Sequence, residues 1–190
     1  MKRLLFALLM VAAAVRADAP ESIYHLNADL TNQAGVEHHL DVHRGHPVLV
    51  TMFYARCPMA CPLLIDTMRA IERAAAPAER EQLRFLLISI DPEHDTVESL
   101  QALGTSRKLD PARWTLARTD AASVRKTAAV LGIQYRELPD GQFNHSSIVT
   151  LLTADGEIEY QSSMLGRADP EMLAALKRVS GGAQPKTAAQ

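Results

Sequence analysis

Cys57 and Cys61 are the only cysteines in the chain, and both lie in Met52-Phe53-Tyr54-Ala55-Arg56-Cys57-Pro58-Met59-Ala60-Cys61-Pro62. Thiols this close have three chemistries open to them: a structural disulfide, a redox couple, or a two-sided grip on a metal ion. The Cys-x-x-x-Cys spacing is wider than that of the usual redox pair. A disulfide still closes if the backbone tightens, because bridged Cα atoms lie about 4.4–6.8 Å apart. In a redox couple, Cys57, nearer the solvent, would attack and Cys61 would resolve. As ligands, soft thiolates select Cu(I), zinc or iron–sulfur clusters. Two of them are too few for a closed zinc site or a cluster, so a third ligand would have to come from elsewhere.

The flanking prolines restrict the backbone. If Pro58 opened a helix, Pro62 would fall where the first intrahelical donor is needed, at a cost of about 3 kcal/mol. The helix is therefore expected to start with Pro62 at or near its first position. Cys57 to Cys61 would then form a tight turn with both sulfurs near the positive helix end, where thiol pKa falls. Arg56 either adds to that field or is a solvated loop arginine.

The chain has 190 residues, 47% of them hydrophobic, and a formal net charge of −2. That length favours one domain with a sizeable core, and the balanced charge gives no reason to expect a nucleic-acid partner. Lys2-Arg3, an apolar run over residues 4–15 and Ala17-Asp18-Ala19 read as a secretory signal peptide over residues 1–19. The mature protein is then expected to be exported, periplasmic or equivalent, and soluble, with a retained N-terminal membrane anchor as the alternative. Outside the cytosol, two thiols become a disulfide unless something protects or uses them.

The remaining elements alternate. Residues 23–30 and 36–42 flank the turn Asn32-Gln33-Ala34-Gly35 and read as an N-terminal β-hairpin. Residues 48–54, VLVTMFY, carry no charge and read as a buried central strand. After the cysteines, Leu64, Ile65, Met68 and Ile71 recur at helical spacing up to Pro77. Residues 83–90 give a second buried strand, and Asp95 with Glu98 a capping-box helix start. A strand around Trp114-Thr115-Leu116 follows, then a helix capped by Asp120 and ending at Gly132, then a short strand over residues 133–137. Residues 147–153 and 158–161 form a hairpin about Asp155-Gly156, and residues 170–179 a last helix. The tail, residues 180–190, has no apolar periodicity and reads as disordered. Alternating β and α units require parallel strands flanked by helices. The expectation is an α/β, thioredoxin-like domain over residues 20–179, with a mixed central sheet and an N-terminal hairpin. The cysteines fall past the carboxyl end of its central strand, where such folds place chemistry.

That plan also supplies a third ligand. His145, in Phe143-Asn144-His145-Ser146-Ser147, leads into the strand expected beside the central one, in a loop facing the cysteine turn. Redox members of this fold usually carry a cis-proline there; an imidazole can coordinate instead. Two thiolates and a neutral imidazole suit three-coordinate Cu(I), with Asn144, Ser146 or a carbonyl orienting the ring. His38, His39, His43 and His46 read as a polar sheet face (Glu37, His39, Asp41 and His43 alternating on one strand) or as a second metal site. His94 reads as solvated, Asp91 as a turn former near enough to tune the cysteines, Met164 as packing, and Met59 as a lid or a thioether contact.

The segments VLVTMFYARCPMACP (residues 48–62), LLISIDPEHDT (86–96) and FNHSSIVTLLTADGEI (143–158), with LTNQAG and RGHP upstream, resemble the SCO (SenC/PrrC) family of copper chaperones in cytochrome oxidase assembly. The resemblance covers residues 22 to 179. It implies a thioredoxin fold binding copper, as Cu(I) or Cu(II), through Cys57, Cys61 and His145. It also implies delivery to the copper-A centre of oxidase subunit II, a copper donor, a thiol reductant, and redox activity of the two thiols toward partner cysteines. A monomer is expected. Met59 and Asn144 stand where the family commonly has aspartates, which makes the site less acidic and richer in thioether.

Overall fold

The computed structural model describes residues 22–57 and 60–181. The expected signal peptide, Met59 and residues 182–190 of the expected tail lie outside the described residues. The chain enters through a one-turn 3-10 helix, Ile23–His25, followed by β1 (Asp29–Asn32) and β2 (Glu37–His39). Next come β3 (Val48–Phe53), α1 (Ala60–Ala74), α2 (Pro77–Gln82), β4 (Arg84–Ser89), α3 (Val97–Ser106) and β5 (Trp114–Arg118). Then follow α4 (Ala121–Val130), β6 (Tyr135–Glu137), β7 (Phe143–His145), β8 (Val149–Leu152), β9 (Ile158–Ser162) and α5 (Pro170–Gly181).

Seven strands form one sheet in the order β2-β1-β5-β4-β3-β8-β9. β3, β4 and β5 run parallel, with Val50 opposite Leu86 and Leu86 opposite Thr115. β8 closes antiparallel on β3, and β9 on β8. This is the mixed, thioredoxin-like sheet flanked by helices. The parallel centre follows from its sequence: every residue of β3 is buried, as a strand covered on both faces must be. α1 lays Leu64, Ile65, Met68 and Ile71, each at most 1% exposed, against that core. Full burial of side chains of this size contributes about 1.5–3 kcal/mol apiece. No helix among the described residues is long and apolar enough to cross a membrane.

Five expectations need correction. The first arm of the hairpin is only partly extended. Ser22 accepts from the Tyr24 N–H, and the Ile23 N–H bonds the Gly156 carbonyl at 2.9 Å, so this segment curls onto the β8–β9 turn. The second arm ends at His39, after which i→i+3 turn bonds (Val42 to His39, Arg44 to Asp41, His46 to His43) take over. Pro77 does not merely follow α1; it opens α2 at its first position, with Glu79 accepting from the Ala76 N–H at 2.9 Å. Thr96, not Asp95, caps α3, exchanging side-chain hydrogen bonds with Ser99. The last helix runs on to Gly181, two residues beyond its expected end.

Candidate metal and thiol site

The β3 strand ends at Phe53, and the chain turns over Tyr54 to Cys57, where the Cys57 N–H bonds the Tyr54 carbonyl. α1 then starts at Ala60, earlier than the prolines suggested. Pro62 is its third residue, where a missing N–H costs nothing because the first four donors of any helix lack intrahelical partners. Cys61 therefore lies inside the first helical turn, and Cys57 sits at its mouth, accepting from the Cys61 N–H at 3.4 Å. Both are thiols, Cys57 half-buried and Cys61 buried. Cys61 Sγ accepts from the Tyr54 N–H at 3.4 Å. Burial pushes the Cys61 thiol well above the ordinary range, and the Tyr54 N–H only partly offsets this. The helix end was expected to lower both thiols; for Cys61 desolvation wins.

His145 arrives from a different element. It is not in a loop but at the end of β7, which pairs with β6 in a two-stranded ribbon apart from the main sheet. Ser146 fastens the ribbon to Gln134, its N–H on the Gln134 carbonyl at 2.8 Å and its Oγ accepting from the Gln134 N–H at 3.2 Å. His145 Nδ1 lies 3.1 Å from the Ser146 carbonyl, which can only accept, so Nδ1 carries the proton and Nε2 presents a lone pair. Burial lowers the ring's pKa against the weaker opposite pull of that carbonyl, keeping the imidazole neutral. Nε2 is 4.0 Å from Cys61 Sγ.

The ligand atoms of Cys57, Cys61 and His145 all lie within 4.8 Å of one another. Metal–sulfur and metal–nitrogen bonds of about 2.3 and 2.0 Å would set sulfur and nitrogen about 3.7 Å apart around a trigonal ion. The Cys61–His145 pair, at 4.0 Å, is within a few tenths of an ångström of that separation, and the whole set is within about 1 Å of closing on one ion. Among the described residues it is the only such group of three or more His, Cys, Asp or Glu side chains. The cluster at residues 38–46 does not converge. His38 meets Asn32, His39 meets Asp29 and His43 meets Thr115, because the chain turns after His39 and Asp41 and His43 never share a strand face with Glu37.

Asp95, Asp91 and Tyr54 hold the cysteine loop. Asp95, 1% exposed, accepts from the Ala55 N–H at 3.0 Å and from the Ser89 hydroxyl at 2.6 Å. Burial raises its pKa, with the Ser89 and Ala55 hydrogen bonds opposing. Asp91, 2% exposed, takes Arg56 on one oxygen and His94 on the other, each at 2.7 Å. Burial pulls the Asp91 carboxyl up, but the hydrogen bonds from Arg56 and His94 outweigh it and hold it below the usual range. Arg56 and His94 are therefore paired rather than merely solvated. The Ile90 N–H bonds the Phe53 carbonyl at 2.7 Å. The segment Ser89-Ile90-Asp91 is thus the back wall of the cysteine loop. Tyr54, 3% exposed, does more than end the strand. Its ring stands T-shaped to His145 with centroids 6.0 Å apart and tilts against Phe143 at 5.4 Å.

A thioredoxin-like sheet with two thiols and a neutral imidazole gathered past the carboxyl end of its central strand defines a protein of metal or thiol chemistry. The SCO1/SenC family model matches residues 19–180, and the chain belongs to that family. The copper-bound ScoI of Bradyrhizobium japonicum is 26% identical, with a TM-score of 0.64 over 80% of this chain and 96% of that one. A SCO1/SenC family lipoprotein from Bacillus anthracis str. Ames gives 20% identity and a TM-score of 0.73, covering 83% and 95%. BsSco, a member of the Sco family of cytochrome c oxidase assembly proteins with a disulfide switch, gives 20% and 0.67, covering 86% and 96%. No curated protein sequence matches the chain.

Proposed function

We propose that this protein is an exported copper carrier. In this reading it takes up one copper ion through Cys57 Sγ, Cys61 Sγ and His145 Nε2 and hands it to a cuproprotein such as the copper-A centre of oxidase subunit II. The observation that carries the reading is the convergence of the three ligand atoms within 4.8 Å, from residues far apart in sequence. Copper binding by a relative of known structure and the family's role in oxidase assembly support it. A lipoprotein relative and the signal-like residues 1–19 support export. The thiols must be reduced to bind, so a thiol reductant and a copper donor complete the partners; the protein acts as a monomer. Delivery proceeds by ligand exchange, with His145 first to let go, since imidazole commits less to Cu(I) than thiolate does.

The test is anaerobic titration of the reduced mature protein with Cu(I) and Cu(II), with X-ray absorption counting sulfur and nitrogen neighbours. One equivalent bound by two sulfurs and one nitrogen is expected, the nitrogen disappearing in His145→Ala. No stoichiometric uptake defeats the proposal. If His145→Ala binds copper as tightly and transfers it as fast, the ligand assignment and the release order are both wrong. The second reading, a thiol–disulfide oxidoreductase, is favoured by one feature: Cys57 is half-buried above the buried Cys61, the arrangement of an attacking and a resolving thiol. Turnover of a target disulfide by metal-free protein, unaffected by His145→Ala, would establish it.

A further inference from the structure

One buried polar group lies among all three donors and has no part in the reading above. The backbone N–H of Tyr54 is on Cys61 Sγ at 3.4 Å, and its ring edge meets His145. Its phenolic oxygen accepts from the Phe143 N–H at 3.4 Å. The hydroxyl also hydrogen-bonds with Cys57. Packing alone does not account for that hydroxyl. A phenylalanine would fill the same space against Phe143 and His145, and the hydroxyl of a residue only 3% exposed must find a partner to offset its desolvation. The Phe143 N–H leaves the phenolic proton free to donate, and Cys57 as a ligating thiolate has no proton and can only accept, so the phenolic O–H is the donor.

We propose that Tyr54 is a positioning residue that donates its phenolic O–H to Cys57 Sγ and so biases the site toward Cu(I). The inference rests on the assignment of Cys57, Cys61 and His145 as copper ligands. A hydrogen bond to a thiolate withdraws electron density from the sulfur. Cu(II) depends on that donation more than Cu(I) does, so the bond weakens the higher oxidation state selectively. The same side chain seats the imidazole through its ring, so one residue sets both the distance of the third ligand and the donor strength of the first.

Tyr54→Phe keeps the ring and removes the proton. In the Cu(II)-loaded variant the sulfur-to-copper charge-transfer band is expected to move to longer wavelength. The preference for Cu(I) over Cu(II), from competition titrations of each, is expected to fall about tenfold, the order of one hydrogen bond to a charged group. 3-Fluorotyrosine placed at position 54, a stronger donor of nearly the same shape, is expected to shift the band and the preference in the opposite direction. Loss of packing would not reverse sign in this way. Wild-type band position and preference in Tyr54→Phe overturn the inference while leaving the copper reading intact. A wild-type protein that binds no copper overturns both.

Discussion

His43 gives the molecule an acid sensitivity whose size follows from its surroundings. Its Nε2 is 3.0 Å from the Thr115 hydroxyl, where the turn after β2 covers β5. Burial lowers its pKa from 6.5 to about 4, helped by the charges of Arg84, His46 and His38 and opposed by a backbone contact at Phe85. The folded state thus holds His43 neutral over a range where the unfolded chain takes up a proton. The sign is fixed by linkage. Stability is complete above pH 6.5, and it is lost as the pH falls from 6.5 toward 4, because the unfolded state binds the extra proton. The full difference is worth about 3 kcal/mol, and about 2 kcal/mol of it is gone at pH 5. For a domain of marginal stability that is a large fraction.

The measurement is a double difference: denaturant unfolding of wild type and His43→Gln at pH 7.5 and at pH 5. Other groups also titrate in this interval. His46 and His145 are likewise held low by burial, but they are present in both proteins and cancel. Glutamine can still meet the Thr115 hydroxyl, so the variant is expected to be less acid-sensitive than wild type by about 2 kcal/mol between the two pH values. A double difference under about 0.5 kcal/mol, or one of the opposite sign, would refute the placement of His43 as a buried neutral imidazole.

Asp95→Ala leaves the Ala55 N–H and the Ser89 hydroxyl without their acceptor and is expected to cost about 2 kcal/mol in urea unfolding. It should also speed alkylation of Cys57 in the folded protein; unchanged stability and reactivity would show that the loop is held by other means. Gly156 sits at φ +84, and a Cβ there would run into the Tyr24 ring and come within 2.6 Å of the Ser22 hydroxyl. Gly156→Ala is therefore expected to destabilise the fold by at least about 1 kcal/mol, read as a lower melting temperature. Because burial keeps Cys61 protonated in metal-free protein at neutral pH, copper binding through its thiolate must release that proton. Calorimetry in buffers of different ionisation enthalpy should show at least one proton released per ion between pH 6 and 8, and zero release would contradict coordination by Cys61.

The parts legible in the sequence are those where one local rule suffices. The uncharged runs of β3 and β4 announce a buried parallel centre, and Asp120 and Gly132 bracket α4 because capping and the left-handed C-terminal turn are local events. His145 was found through the fold plan alone, since nothing near it in sequence connects it to Cys61. What was missed depends on distant partners. Asp95 satisfies the pattern of a helix cap as well as Thr96 does, and only the positions of Ala55 and Ser89 reveal that its carboxylate faces inward. Pro77 carries two signals, a stop for one helix and a start for another, and the capping role of Glu79 decides between them. Tyr54 continues an apolar run, and the partner of its hydroxyl at Phe143 comes from an element 89 residues away, which no local pattern reveals.

The same placements explain how a copper site here would carry its charge. Cys57 and Cys61 as thiolates with neutral His145 leave a net charge of −1 around Cu(I) and zero around Cu(II). Three of the chain's four tyrosines and four phenylalanines, Tyr54, Tyr135 and Phe143, pack about this point, and such walls make an uncompensated charge costly. Arg56 does not remove the excess, because its guanidinium is already paired with Asp91. Hydrogen-bond donors aimed at sulfur do so instead, and besides the Tyr54 hydroxyl they are backbone groups: the Tyr54 N–H on Cys61 and the Cys61 N–H on Cys57. Donors of this kind stabilise the more anionic state most. The turn that ends β3 and the first turn of α1 thus do more than bring two sulfurs together, since their backbone supplies the compensation that lets a reduced ion sit in an apolar wall.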